Sequence, residues 1–164
     1  MELKVPFYEF LNMLLTGIVF VVGFAVICPE YLLMFLSSEL AKSFSTKSEI
    51  LIAACVFAIT YEIGLLINRL GSVFIEPLIK KVKWIEFNDD YVLFNEKKKK
   101  HPILATLSRE YASSRTRIVL YFLLTILSFM YSRYWLALVS LGLMIFYYLS
   151  CKKYSSKIVK LMQV

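Results

Sequence analysis

A chain of 164 residues that is 59% hydrophobic and carries a net charge of +7 has room for one small domain and is too apolar for a soluble one. Its mean hydropathy of +0.67 points to an integral membrane protein, so the surplus of cations is read first as topology and only then as ligand preference. A single histidine, and three cysteines (Cys28, Cys55 and Cys151) in or beside apolar runs without paired spacing, argue against a disulfide framework, a metal site or a histidine-based triad.

The first apolar run, Phe7 to Ile27, is too long for a signal-peptide core and lacks a small-residue cleavage site, which predicts a retained membrane helix. Glu9 and Asn12 lie in its opening turns and Pro29 ends it. From Glu30 to Phe44 the spacing of Leu33, Leu36, Leu40 and Phe44 predicts a helix along the membrane surface, a re-entrant segment being the alternative. Thr46 and Glu49 fit a capping box that starts a second membrane helix near Lys47. From Ile50 to Asn68 this helix rises about 28 Å, close to a hydrocarbon core of about 30 Å. It should pass Gly71 and Ser72 and stop near Pro77. Within it, Glu62, Arg69 and Glu76 recur every seven residues and would share nearly one line of a continuous helix. Thr60 and Gly64 form a loose small-residue pair that permits close helix approach.

Residues 78–117 are the one sizeable region expected outside the membrane. Asn88-Asp89-Asp90 supply an N-cap and Lys97, Lys98, Lys99 and Lys100 a basic last turn, after which His101-Pro102 breaks the helix. A second helix, from about Ile103, carries Leu104, Leu107, Tyr111 and Arg115 on one face. With Tyr91 and Phe94 these side chains are too few for an independent core, so the pair should pack on the membrane helices or on another subunit. Runs 118–131 and 134–150, separated by Ser132-Arg133, complete four spans. The first of these is short, about 14 residues against the usual minimum of about 17. Either the helix extends into the headgroups with Arg115 and Arg117 snorkelling, or the pair is a tight hairpin that thins the bilayer.

The resulting division is 1–76 for the first two membrane helices with an outer segment, 77–117 for a basic helical region, 118–150 for the last two membrane helices and 151–164 for a basic tail. Four spans put the N-terminus, the 69–117 region and the tail on one side, with nearly all the lysine and arginine. Only Lys42, Lys47 and Arg133 fall on the other, so the rich side should be cytoplasmic.

A carboxylate in hydrocarbon is costly unless paired, protonated or wet. In one reading of the intramembrane polar set, Glu9 pairs with Arg69 and Asn12 with Glu62, fixing only helix register. In the other, Glu62 lines a water-filled path at a subunit interface, and the candidate pore-lining or intramembrane polar set is Glu62, Asn68, Arg69, Asn12, Glu9 and Glu76. Four spans enclose little space, so such a path needs several copies of the chain, a tetramer being one arrangement. The cations Lys97 to Lys100, Arg109 and Arg115, interleaved with aromatics, suit anionic headgroups or a nucleotide or single-stranded DNA ligand. No cofactor is expected, and the absence of a nucleophile–histidine spacing speaks against an enzyme.

Asn68-Arg69-Leu70-Gly71-Ser72, Glu76-Pro77-Leu78, and the stretch from Asp89-Asp90-Tyr91 through Leu107 to Arg115 resemble the small bacterial membrane proteins that accompany nucleotidyltransferases in anti-phage defence, the Hailong membrane effectors. The resemblance covers about half of the chain and reaches Asn68, Arg69, Glu76 and Arg115 without assigning their roles. It implies a homo-oligomeric, channel-like effector in the bacterial inner membrane, controlled by a nucleotide product of the partner enzyme. The expectation is an all-α membrane protein with four transmembrane helices and a small cytoplasmic helical region, assembled as a symmetric homo-oligomer. The alternative is a nonconducting anchor that recruits a soluble partner through its basic loop.

Overall fold

The computed structural model describes residues 7–37, 49–81 and 91–163. These are helical apart from Cys28, His101 and the turn at 131–133, with no strand among the described residues. The expected capping residue Thr46, the acidic cap at 88–90 and the aromatics Trp84 and Phe87 lie outside them. Helix α1 (Phe7–Ile27) is followed after Cys28 by α2 (Pro29–Ser37), whose first residue is the proline that ends α1. The ring is suited to a helix start, where no N–H is needed. Helix α3 (Glu49–Leu70) leads without a break into a π-helical turn (Gly71–Ile75) and then α4 (Glu76–Lys81). Helices α5 (Tyr91–Lys100), α6 (Pro102–Met130) and α7 (Tyr134–Gln163) complete the chain. Four helical stretches are long and apolar enough to cross a membrane: Phe7–Ile27, Ile50–Ile79, Pro102–Met130 and Tyr134–Met162.

Helix α6 is the central one. Half of its most apolar stretch is buried, against 17% for each of the other three. One side packs Val119, Leu120 and Leu124 against Ile67 of α3 and Ile27 and Cys28 at the end of α1. The other side packs Leu104, Tyr111 and Ile118 against Cys151 and Ile158 of α7. The outer faces of α1, α3 and α7 stay rich in exposed Leu, Ile, Val and Phe, the surface that a bilayer would solvate. Two cysteines, Cys28 and Cys151, are small core residues, while Cys55 is exposed.

The α6–α7 hairpin closes where Ser132-Arg133 interrupts the apolar pattern. Ser132 has φ 55°, its N–H donates to the Phe129 carbonyl, and the Arg133 N–H donates to that of Ser128 at 2.8 Å. This is a Schellman-type helix end with serine in the left-handed position. Beside it, Tyr31 of α2 meets Tyr131 edge-on at 6.2 Å, and its hydrogen bond pushes the Tyr131 phenol up to about 12.

Helices α1 and α3 cross antiparallel with their backbones in contact. A Cβ on Gly17 would overlap the Thr60 carbonyl oxygen, and one on Gly64 would overlap the Met13 carbonyl oxygen. The Thr60/Gly64 pair thus does what small residues do between membrane helices, bringing main chains together where no hydrophobic driving force separates helix from lipid. Buried hydroxyls along the bundle mostly satisfy themselves within their own helix: Thr16 on Asn12, Thr60 on Val56 and Thr125 on Tyr121 each bond a carbonyl four residues back.

The helices depart from the expected segments in three places. The short run 118–131 is the far half of a 29-residue helix, so of the two alternatives it is the extended helix that forms. At 1.5 Å per residue α6 is about 43 Å long, more than a bilayer core. There is accordingly no backbone break at 117/118, nor at 150/151, because neither Arg-Thr-Arg-Ile nor Ser-Cys-Lys-Lys contains a helix breaker. Pro77 does not end the second membrane helix. The π turn lies directly before it, widening the backbone where the proline ring would crowd the carbonyl four residues back.

The same turn corrects the seven-residue line. The Glu76 N–H bonds the Gly71 carbonyl, five residues back. One extra residue in a turn rotates everything after it by about 100°. Glu62 and Arg69 remain exposed on α3, whereas Glu76 is swung towards α6.

Candidate functional site

One end of the bundle gathers the start of α1, the end of α3 with α4, the α5 helix, the first half of α6 and the last turns of α7. It also carries most of the described lysine and arginine, and is called the basic end below. Between α1, α3, α5 and α6 it opens into a cleft of about 500 Å³. Tyr8, Glu9, Asn12 and Met13 line it from α1, Asn68 from α3, Lys98 from α5, and Ser108, Arg109, Ser113 and Arg115 from α6. Six candidates from the sequence therefore converge: Glu9, Asn12, Asn68, Lys98, Arg109 and Arg115.

The polar wall is built by hydrogen bonds from α6 to the two membrane helices. Ser113 Oγ donates to Asn12 Oδ1 at 3.0 Å, and Thr116 Oγ1 donates to Asn68 Oδ1 at 2.7 Å. Each asparagine thus spends its carbonyl oxygen as an acceptor and keeps an NH₂ group with two donors. At the mouth, Tyr8 OH donates to Glu110 Oε1 at 3.0 Å, and the Arg109 guanidinium stands 5.7 Å from the Tyr8 ring centre. That stacking holds the cation in place without using up its fork of N–H donors.

Arg115 lines the cleft as well, and its side chain is the one that reaches from α6 to the π turn. It pairs with Glu76, and its Nη2 donates to Ser72 Oγ at 2.8 Å. Its Nε is buried without a hydrogen-bond partner among the described residues. The guanidinium also stands 5.9 Å from the Tyr111 ring centre. Three cations (Lys98, Arg109, Arg115) and one carboxylate (Glu9) line the cleft, with Glu76 paired to Arg115 and Glu110 bonded to Tyr8 beside it, so Lys98 and Arg109 are the lining cations without a carboxylate partner among the described residues. An oxyanion of small-molecule size meets its requirements. The volume lies in the range of about 300–1,000 Å³ usual for such sites.

The remaining candidates lie elsewhere. Lys97 Nζ donates to the Met162 carbonyl at 2.7 Å, tying α5 to the last turn of α7. Lys99 and Lys100 belong to α5, and their side chains lie outside the described set. Glu62 and Arg69 are exposed on the outer face of α3, away from the cleft. The register-fixing pairs expected of Glu9 with Arg69 and Asn12 with Glu62 are not formed among the described residues: Asn12 is engaged by Ser113 instead. Tyr8, Ser72, Ser113 and Thr116 were not anticipated in these roles. Among the described residues no group of three or more His, Cys, Asp or Glu converges as a metal site would require.

Comparison of the chain with protein-family models, with curated proteins and with solved structures found no match.

Proposed function

We propose that this chain is a multi-pass effector of the bacterial inner membrane, with both termini cytoplasmic, which conducts ions or breaches the bilayer as a homo-oligomer when an anionic cytoplasmic ligand occupies the cleft. The observation that carries this reading is the cleft itself: Lys98, Arg109 and Arg115 converge with the amides of Asn12 and Asn68 at the mouth of a four-span bundle. A structural anchor has no need of a preformed, donor-lined cavity opening on the side that the lysine and arginine asymmetry makes cytoplasmic. The charge and size favour a nucleotide or the end of a short oligonucleotide, with phosphate on the cations and a base near Tyr8.

The oligomer is supported by Glu62. An exposed carboxylate on an apolar helix, about two turns inside its basic end, is expensive against lipid and reasonable against a second copy or water. The likeness to Hailong membrane effectors adds the setting, anti-phage defence beside a nucleotidyltransferase that makes the ligand.

The test is flux from liposomes carrying the purified full chain, with and without ATP or a short single-stranded DNA as probes. Ligand-dependent flux that disappears in Lys98→Ala/Arg109→Ala supports the effector. Ligand binding with no flux at any protein density would leave the nonconducting anchor as the better reading.

A further inference from the structure

Besides Asn68, which lines the cleft from α3 itself, one side chain of α6 joins the cleft to the π turn. Arg115 lines the cleft and grips both ends of the π turn: Ser72 lies inside it, and Glu76 is the residue whose N–H closes it on Gly71. Gly71, at the start of the turn, lies beside Arg115: a Cβ placed there would stand in ordinary contact, 3.5 Å from its Cγ. The next residue of α6, Thr116, holds Asn68 one turn earlier. Two consecutive residues of the central helix thus clasp the stretch where α3 changes register.

The two sides of the clasp are unequally held. The Arg115 side chain is 11% exposed, whereas that of Glu76 is 36% exposed. Of the pair, Glu76 is the one that can be released to water at little desolvation cost. Arg115 has hydrogen-bonding capacity in reserve, since a guanidinium carries five donors and its buried Nε has no partner among the described residues. A phosphate presents the same bidentate acceptor geometry as a carboxylate, with more charge.

We infer that a phosphate-bearing ligand in the cleft displaces Glu76 from Arg115, and that loss of this ion pair lets the π turn at 71–75 reset, passing occupancy of the cleft to α3. The inference rests on the reading of the cleft as an anion site. A π turn is an insertion of one residue in register, so relaxing it to α-helix turns one side of the helix against the other by about 100°. Such a rotation requires neither unfolding nor a hinge loop, and with α3 held against α1 at Gly64 it turns α4 relative to α3.

The experiment uses the full chain in nanodiscs, with inorganic pyrophosphate as probe, and reads binding together with hydrogen exchange of the 71–81 amides. The wild type should bind the probe and exchange faster at 71–81 when it is bound. Glu76→Gln keeps shape but weakens the grip on Arg115. It should exchange fast without probe and bind about tenfold tighter, the scale of one charge-assisted hydrogen bond recovered for the ligand. Glu9→Gln removes a carboxylate from the cleft without touching Arg115, so any gain in affinity from field alone should appear there with exchange at 71–81 unchanged. Probe binding that depends on Lys98 and Arg109 but leaves 71–81 exchange the same in wild type and Glu76→Gln would overturn the exchange of partners and spare the anion site. Absence of binding to a correctly folded wild type, checked by its helical content, would overturn both.

Discussion

Glu62 stands exposed on α3 with Ile59 and Leu66 exposed near it on the same helix, in the chemical company of lipid-facing residues. If its face meets a water-filled path between copies, Glu62→Gln preserves shape and removes charge, so assembly should persist while cation conductance or selectivity changes. Planar-bilayer recordings of matched oligomers decide this, and an unchanged current and selectivity would end the pore-lining role. At the cleft, Arg109→Ala should weaken pyrophosphate binding about tenfold or more, with the wild-type affinity falling as salt screens the remaining charges. Titration calorimetry at two ionic strengths checks both statements. Asn12, Asn68, Arg109 and Arg115 could be picked out from the sequence because amides and cations stand out on apolar helices. Ser72, Ser113 and Thr116 could not. A helical hydroxyl bonds its own carbonyl four residues back as readily as a neighbour, and Thr116 does both.

At the scale of elements, the crossing of α1 and α3 depends on two glycines whose missing side chains are replaced by carbonyl groups of the partner helix. Gly64→Leu has no flexible neighbour to push aside, so the backbones must separate. The cost should be at least about 2 kcal/mol, seen as a lower unfolding midpoint in detergent. Gly142→Ala, where a Cβ meets nothing within 4 Å, should leave that midpoint unchanged. The value of Gly64 was readable beforehand from its spacing to Thr60, but its counterpart Gly17 was not, because one glycine in an apolar run carries no periodic signal. The π turn was likewise hidden: a single-residue slip over Gly71–Ile75 is shorter than any window in which a 3.6-residue period can be measured. Pro77 was its trace in the sequence, read there as a stop. The third span looked too short because hydropathy counted only its far half, while Arg109, Arg115 and Arg117 face protein partners in the near half.

For the whole molecule, the all-helical class and the four spans followed from composition and run length, the parts of a sequence that bilayer thickness constrains most tightly. The packing order, with α6 at the centre, did not follow, because exposed and buried apolar faces look alike when lipid and protein interior are equally apolar. The lysine and arginine asymmetry predicts that the basic end faces the cytoplasm. In a Cys55→Ser background, an impermeant maleimide applied to intact spheroplasts should label Arg133→Cys and miss Lys98→Cys, and the opposite pattern would reverse the topology. The backbone contact between α1 and α3 has a mechanical consequence. Met13 and Gly17 meet Gly64 and Thr60 in main-chain contact, where the two helices cannot draw nearer. Two rods held together at one crossing behave as scissors. A shift of α3 beside Asn68, at the basic end, would pivot on that contact and be carried with opposite sense towards Ile50 at the far end of the helix.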